Sequence, residues 1–144
     1  MGSPAIRILK NTRTDQVRHN HLLTVQCECL PADAPGDGTL GHWWLALEGE
    51  KTVGFACLKV LPGIPYGYLA RAGVYGDYQG QGLQRKLIIA RESYARRLKL
   101  THIVSDTART NYASSNSLIR CGYKLYQPKE PWSFADGNYW IKRL

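Results

Sequence analysis

The fold is decided by one stretch, Val74-Tyr75-Gly76-Asp77-Tyr78-Gln79-Gly80-Gln81-Gly82-Leu83-Gln84-Arg85-Lys86-Leu87. It joins the end of an apolar run to a segment with the period of an amphipathic helix. Gly80 and Gly82 let the backbone turn tightly and approach a ligand closely, because glycine has no Cβ. The first N–H groups of a helix lack intrahelical partners, and the helix dipole favours negative charge there. The stretch therefore predicts a phosphate site, to which Arg85 and Lys86 add positive charge.

Two common phosphate-binding motifs do not fit this stretch. A P-loop requires Gly-Lys-Ser/Thr at its end, and this sequence has Gly82-Leu83-Gln84 there. The dinucleotide-binding fingerprint requires a third glycine where Arg85 stands, and no early strand–helix–strand unit precedes it.

Hydrophobic periodicity and turn residues around the stretch predict strand, helix, three strands, helix, strand, helix and two strands. The predicted strands cover residues 5–9, 43–47, 53–60, 66–74, 102–107, 123–126 and 139–144. The helices cover residues 15–29, 82–98 and 112–121, the first with Thr14 or Asp15 as its N-cap. Its expected core contacts are Val17, Leu22, Val25 and Leu30, and those of the second helix are Leu83, Leu87, Ala90, Tyr94 and Leu98.

Composition points to one globular domain over residues 1–144, with 44% hydrophobic and 21% charged residues. No apolar run is long enough for a membrane span, and the N-terminus does not look like a signal peptide, so we expect a cytoplasmic protein. The net charge of +8 lies wholly in residues 71–144. Such a one-sided basic field favours a polyanionic partner, for example a phosphorylated cofactor, a nucleic acid or an acidic surface.

The cysteines and histidines do not predict a metal site. His19 and His21 form one i, i+2 pair and Cys27 and Cys29 another, and on a helix such pairs point to different faces. We expect no metal ion, and reduced thiols at all four cysteines.

Two segments resemble the signatures of the GNAT superfamily of N-acetyltransferases, which use an acyl-CoA. In the first, Gln79-Gly80-Gln81-Gly82-Leu83-Gln84 matches the glutamine and central glycine of the acyl-CoA loop, with Gln84 in place of a small residue. In the second, Asn111 precedes a helix that ends at Gly122-Tyr123, with Ser114 at the matching spacing. The resemblance runs from about Val53 to the C-terminus. It implies an α+β fold, a twisted mixed sheet of six to seven strands with about four helices on both faces.

The resemblance also implies how acetyl-CoA would bind, as the acyl donor, in a gap between two splayed strands. The backbone from Ala72 to Val74 would bind the pantetheine arm, and the amides from Gln79 to Gln84 would hold the pyrophosphate. The implied cofactor-binding residues are Ala72, Val74, Gln79, Gly80, Gln81, Gly82, Leu83, Gln84, Arg85, Asn111 and Ser114.

The implied reaction is direct attack of a primary amine, from a small molecule or protein, on the thioester. The N–H of Val74 would act as an oxyanion-hole donor. Leu118 stands where many members of the family have the tyrosine acid. Tyr123 is the candidate that we take as catalytic, with Tyr112 and Tyr126 as alternatives.

The proton acceptor stays open, because Tyr66–Val74 contains no carboxylate. Candidates for this base are Glu28, Asp33, Asp37 and His42. Candidates for the acceptor cleft are Trp43, Trp44, Tyr66, Tyr68, Glu130 and Asp136.

Two other functions fit parts of the sequence. The first is a GNAT-fold domain that binds acyl-CoA without catalysis, which Leu118 favours. The second is a nucleic-acid-binding domain that uses the basic second half, although it has no aromatic-basic platform or helix-turn-helix. Exposed edge strands at the C-terminus make a homodimer plausible.

Overall fold

The fold is built on one seven-stranded sheet, here in a computed structural model that describes residues 5–12, 15–30, 34–37, 40–133 and 137–144. The strands are β1 (Ile6–Lys10), β2 (His42–Glu48), β3 (Lys51–Val60), β4 (Tyr66–Val74), β5 (His102–Ala108), β6 (Lys124–Leu125) and β7 (Gly137–Arg143). The helices are α1 (Gln16–Cys29), α2 (Leu83–Arg97) and α3 (Tyr112–Arg120), and a 3-10 turn spans Gly76–Tyr78.

The strand order is β1-β2-β3-β4-β5-β7-β6, and among these described strands only β4 and β5 pair in parallel. The predicted mixed sheet, its seven strands and the order of its elements are thus confirmed. Where about four helices were expected, the described residues form three α-helices and the single 3-10 turn.

Both faces of the sheet are covered, because alternate side chains of β2 enter two different cores. Trp44 and Ala46 pack with α2 and α3, whereas Trp43 and Leu45 pack with α1 on the other face.

 Both indole side chains are buried, since Trp44 is 4% exposed and Trp43 is 3% exposed. A strand that is buried on both faces reads as a continuous apolar run, as Trp43–Leu47 does.

Helix α1 begins where the sequence predicts. Asp15 is its N-cap and accepts a hydrogen bond from the Arg18 N–H at 2.9 Å, whereas Thr14 lies outside the described residues. Leu22 and Val25 are buried, and Leu30 packs against the same core. The expected core contact of Val17 is wrong, because that side chain is 70% exposed. At about 100° per residue, Val17 lies about 140° around the helix from Leu22.

Helix α2 buries a face that differs from the predicted stripe. Leu83 and Leu87 are buried as expected, whereas Leu98 is 40% exposed at the C-cap. Ala90 and Tyr94 are half-buried against the core as predicted, and the core face also includes Ile88, Arg91, Glu92 and Ala95. Arg91 donates from Nε to the Leu87 carbonyl and from Nη1 to the Cys57 carbonyl, both at 3.1 Å. Polar partners of this kind let a charged side chain occupy a core position.

Candidate active site

Strands β4 and β5 separate after a short parallel ladder. They pair only from Tyr66↔His102 to Tyr68↔Val104, and one side-chain bond, from Ser105 Oγ to the Leu69 carbonyl, spans 3.2 Å beyond it. A cavity of about 430 Å³ lies along the two strands where they part. Its lining comprises Leu30, Tyr68, Leu69, Ala70, Arg71, Ala72, Gln84, Ile88, Arg91, Ser105, Asp106, Thr107, Ala108, Asn111, Ser114, Ser117 and Leu118.

A bulge in β4 lies beside this cavity. Leu69 pairs with Leu58 and Ala72 with Ala56, so that Ala70 and Arg71 together oppose the single residue Cys57. An extra residue of this kind bends its strand and redirects side chains. The bulge thus accompanies the divergence of β4 from β5.

The backbone of β4 presents two N–H groups, those of Ala72 and Val74, to the gap beside β5. The Tyr75 N–H donates to the Val53 carbonyl at 2.9 Å, and Val74 is in register with Gly54. In an antiparallel ladder, hydrogen-bonded and non-hydrogen-bonded pairs alternate, so the N–H groups of Ala72 and Val74 point away from β3. They face the side where β5 has separated, which is the geometry that strand-like binding of a ligand requires.

The loop after β4 exposes a row of backbone amides. Gly80 and Gly82 have φ of +79° and +76°, a left-handed conformation that glycine adopts without strain. The first helical bond of α2 runs from the Lys86 N–H to the Gly82 carbonyl at 3.1 Å. Within the described part of the chain, no amide from Gly80 to Arg85 donates a hydrogen bond. Unpaired N–H groups at a helix N-terminus are the arrangement that anion sites in proteins use.

The side chains of this loop have different surroundings. Gln79 donates from Nε2 to the Val74 carbonyl at 3.1 Å, and Gln84 lines the cavity. Leu83 is 2% exposed and packs in the core, so its predicted cofactor contact falls to its N–H alone. Arg85 is exposed beside the amides.

The start of α3 closes the other side of the cavity. Asn111 is the N-cap, and its Oδ1 accepts a hydrogen bond from the Ser114 N–H at 3.2 Å. Both residues line the cavity. The structure thus brings Gln84, at the start of α2, and the cap of α3 to one cavity, whereas Gln81 and Leu83 line a separate surface cavity.

A carboxylate that the sequence analysis missed also lines this site. Asp106 on β5 accepts hydrogen bonds from the Tyr68 hydroxyl, at 2.5 Å, and from the Ser133 hydroxyl. Burial, followed by the hydrogen bond to Asp106, raises the pKa of Tyr68 well above its usual range. Trp132 lies against Tyr68, with ring centroids 5.4 Å apart, and is 42% exposed. The sequence did offer one signal for this residue, because Asp106 is an acidic residue inside a predicted strand, His102–Thr107, whose centre is apolar.

The family model of the acetyltransferase (GNAT) family matches residues 9–123. The chain belongs to the GNAT family of acetyltransferases. Comparison of the sequence with curated proteins gives no match.

Solved GNAT-type structures share the fold of this chain. A Bacillus subtilis acetyltransferase in complex with CoA is 15% identical, with a TM-score of 0.76 over 97% of this chain and 99% of that one. A Streptococcus agalactiae acetyltransferase is 22% identical, with a TM-score of 0.72 over 95% and 98%. The ribosomal-protein-S18-alanine N-acetyltransferase of Escherichia coli is 15% identical, with a TM-score of 0.71 over 95% and 91%.

Tyr123, the predicted acid of this GNAT protein, lies away from the cavity. It is 3% exposed and does not line the cavity. Burial and the neighbouring charge of Glu92 raise the pKa of Tyr123 far above its usual range. Its nearness in sequence to Leu118 suggested the acid role, but the turn after α3 directs its side chain into the core with α2. We therefore do not assign it the acid role.

Among the described residues, the other candidates for the base, the acid and the acceptor cleft, apart from Tyr68, do not line the cavity. Glu28 accepts a hydrogen bond from the Tyr75 hydroxyl, and the ring of His42 lies 4.7 Å from that of Tyr94. Asp33 and Asp136 lie outside the described residues. The remaining candidates that do not line the cavity are Asp37, Trp43, Trp44, Tyr66, Tyr112, Tyr126 and Glu130.

Two further features of the GNAT chain concern metals and membranes. Among the described residues, no group of three or more His, Cys, Asp or Glu is placed to hold a metal ion. Over the same residues, no helix has the length and apolar character needed to cross a membrane.

Proposed function

We propose that this GNAT protein transfers an acetyl group from acetyl-CoA to a primary amine of a small molecule or protein, by direct attack in a ternary complex. One observation carries the proposal. The N–H groups of Ala72 and Val74, which face the gap beside β5, lead into the unpaired amides of Gly80 to Arg85. A long thin donor with a pyrophosphate fits such a path.

Specific groups would hold each part of the donor. The backbone of Ala72 and Val74 would bind the pantetheine amides as an added strand does. The amides of Gly80 to Arg85, with the charge of Arg85, would bind the pyrophosphate. Asn111 and Ser114 line the cavity and would contact the arm from α3. A Bacillus anthracis acetyltransferase structure holds acetyl-CoA, which supports this donor.

Val74 and Asp106 would supply the chemistry. The Val74 N–H faces the gap, where it would stabilise negative charge on the carbonyl oxygen of the thioester. Asp106, fixed by Tyr68 and Ser133, would accept the proton of the amine directly or through water. The acyl–sulfur bond then breaks as the C–N bond forms, and CoA leaves as a thiolate that takes up a proton.

A second candidate is an acyl-CoA-binding protein without turnover. It is favoured by Leu118, which lines the cavity and cannot donate a proton. A thiolate can leave without a dedicated acid, so the catalytic proposal does not depend on one.

Thermal unfolding with acetyl-CoA, against ATP as a polyanion control at fixed ionic strength, tests the donor. A ligand that binds only the folded state stabilises it by about 2.7 kcal/mol at a hundredfold excess over Kd. We expect a saturable stabilisation by acetyl-CoA that ATP does not reproduce. Release of free thiol with a panel of primary amines then separates the candidates. Binding without thiol release would support the second one, and no stabilisation would reject both.

Oligomeric state is a separate question. β1 and β6 are the edge strands of the sheet, and an uncovered edge can pair with a second copy. We propose a homodimer as the form to test by sedimentation equilibrium, in which a monomer mass at all concentrations would reject it.

A further inference from the structure

Arg71 lies at the bulge of β4 and lines the cavity. Its Nε donates a hydrogen bond to Gln26 Oε1 at 2.7 Å. Its Nη2 is buried and has no hydrogen-bond partner among the described residues. A buried donor without a partner is costly, and more so when it belongs to a charged group.

The guanidinium is held in place by a network on the α1 side of the sheet. Gln26 is fully buried, and its Oε1 also accepts the Gly36 N–H at 2.8 Å. Gln26 Nε2 donates to the Gly36 carbonyl at 3.0 Å. A Cβ on Gly36 would lie only 3.1 Å from Arg71 Cδ, so this segment packs directly on the arginine stem. One edge of the guanidinium is thus fixed, and no hydrogen bond from a described residue reaches its Nη2.

Within the described ranges of the chain, no counter-charge is paired with Arg71. No carboxylate of the described residues forms a salt bridge with Arg71. Asp106, which lines the same cavity, accepts hydrogen bonds from Tyr68 and Ser133 instead. A partly buried cation without a partner is best stabilised by an anion that brings its own oxygens. Guanidinium groups bind carboxylates through two parallel hydrogen bonds.

We propose that Arg71 binds a carboxylate of the acceptor, and that the acceptors are amines carrying a carboxylate, such as amino acids. This inference rests on the proposed acetyl transfer. The acceptor would place its carboxylate at Arg71 and its amine toward Asp106, on the opposite strand of the same cavity. Recognition by a charged hydrogen-bonding group gives strong discrimination, because an analogue without the carboxylate leaves Arg71 unpaired.

Matched amine pairs test the inference by steady-state thiol release. Glycine, β-alanine, L-glutamate and L-lysine are each compared with the corresponding carboxamide, which removes the charge and keeps the amine. We expect the free acid to have the higher kcat/KM by about tenfold or more in the productive pair, mainly through KM. Arg71→Gln should remove that preference, and Arg71→Lys, which keeps the charge without the fork, should retain part of it. Arg97→Gln, a change at an exposed arginine in the last turn of α2, is the matched control.

A binding arm keeps the test independent of turnover. The thermal shift given by each N-acetylated amino acid and its amide is measured with CoA present, for the wild type and for Arg71→Gln. Both proteins should show the same shift with acetyl-CoA alone, which verifies the fold and the donor site. A larger shift with the free acid in the wild type, lost in Arg71→Gln, supports the inference even if no amine is acetylated.

Other outcomes overturn it. Wild-type turnover that is equal for acid and amide, or higher for the amide, rejects the carboxylate class while the acetyl transfer stands. If Arg71→Gln lowers kcat/KM equally for the acid and the amide of a pair, the arginine serves only to hold Gln26. If none of the amines gives thiol release, the acetyl transfer is rejected. Equal thermal shifts with acids and amides would then reject the carboxylate site as well.

Discussion

The side-chain amide of Gln79 donates a hydrogen bond to the backbone carbonyl of Val74, with the nitrogen and oxygen 3.1 Å apart. This contact joins the last residue of β4 to the start of the amide loop. The contact satisfies the Val74 carbonyl at the edge of β4, and it fixes the loop relative to that edge. The spacing between the edge and the loop amides is therefore set partly by one glutamine side chain.

Replacing Gln79 with alanine should weaken acetyl-CoA binding. Loss of one hydrogen bond of this kind corresponds to about 1 kcal/mol, or about fivefold in Kd. Gln81→Ala is the matched control, because the Gln81 amide lies on the surface at 3.5 Å from the Asp77 carbonyl. Isothermal titration calorimetry measures both variants. Equal losses of affinity would show that the contact with Val74 does not position the loop.

Replacing Gly82 with alanine should disturb the anion site through backbone strain alone. A Cβ at Gly82 would meet no atom within 4 Å, but its φ of +76° is unfavourable for alanine. The strain amounts to about 1–2 kcal/mol, which should lower the free energy of unfolding or be relieved by rearranging the amides. Gly76→Ala is the control, since that site also has open space and has no positive φ. Urea unfolding and acetyl-CoA titration should leave Gly76→Ala near the wild type.

Asp106→Asn should lower kcat, because an amide cannot accept the amine proton. Removal of a general base costs about 10²–10⁴-fold. Tyr123→Phe should change kcat less than twofold, because Tyr123 does not line the cavity and so cannot transfer a proton there. Single-turnover thiol release with saturating acetyl-CoA gives both rates. A large loss in Tyr123→Phe with an intact fold would restore the acid role to that tyrosine.

Local chemistry made part of this site predictable. The positive φ of Gly82 and the cap at Asn111 depend on neighbours within a few residues, which a sequence displays directly. The order of strands and helices follows from the periodicity of apolar residues in the same way.

Contacts between distant residues made the rest unpredictable. Arg71 reaches the cavity only because β4 bulges opposite Cys57, which depends on the register between β3 and β4. Asp106 meets Tyr68 across 38 residues of sequence where two parallel strands part. Arg91 is buried because its partner is the Cys57 carbonyl, 34 residues away. From the sequence alone, each of these charged residues is expected on the surface, and only the pairing of the strands shows otherwise.

The imidazole of His42 should make stability fall on acidification. Burial and the nearby charge of Lys10 lower the pKa of His42 below its ordinary value of 6.5. Between the folded pKa and 6.5, the unfolded chain binds more protons than the folded one, so the free energy of unfolding decreases as the pH falls through that window. His42→Gln should lose less stability between pH 7.5 and pH 5 in urea unfolding. An unchanged pH dependence in this variant would exclude His42 as a source.

Removing the charge of Lys142 should destabilise the fold strongly. Its Nζ lies 3.0 Å from Glu92 Oε2, and the Glu92 side chain is only 4% exposed. Lys142→Met leaves this carboxylate buried without its cation, at a cost of about 3 kcal/mol. Lys129→Met, at an exposed lysine, should stay within about 0.5 kcal/mol of the wild type.

The double variant Lys142→Met/Glu92→Met separates the value of the pair from the cost of the orphaned charge. Replacing both members of a buried pair by apolar groups is often neutral, so the double variant should be more stable than Lys142→Met alone. Urea unfolding of the wild type, Lys142→Met, Glu92→Met and the double variant gives the coupling energy between the two positions. A double variant that is less stable than Lys142→Met would mean that Lys142 acts through its bond to the Cys121 carbonyl, at 2.6 Å, rather than through Glu92.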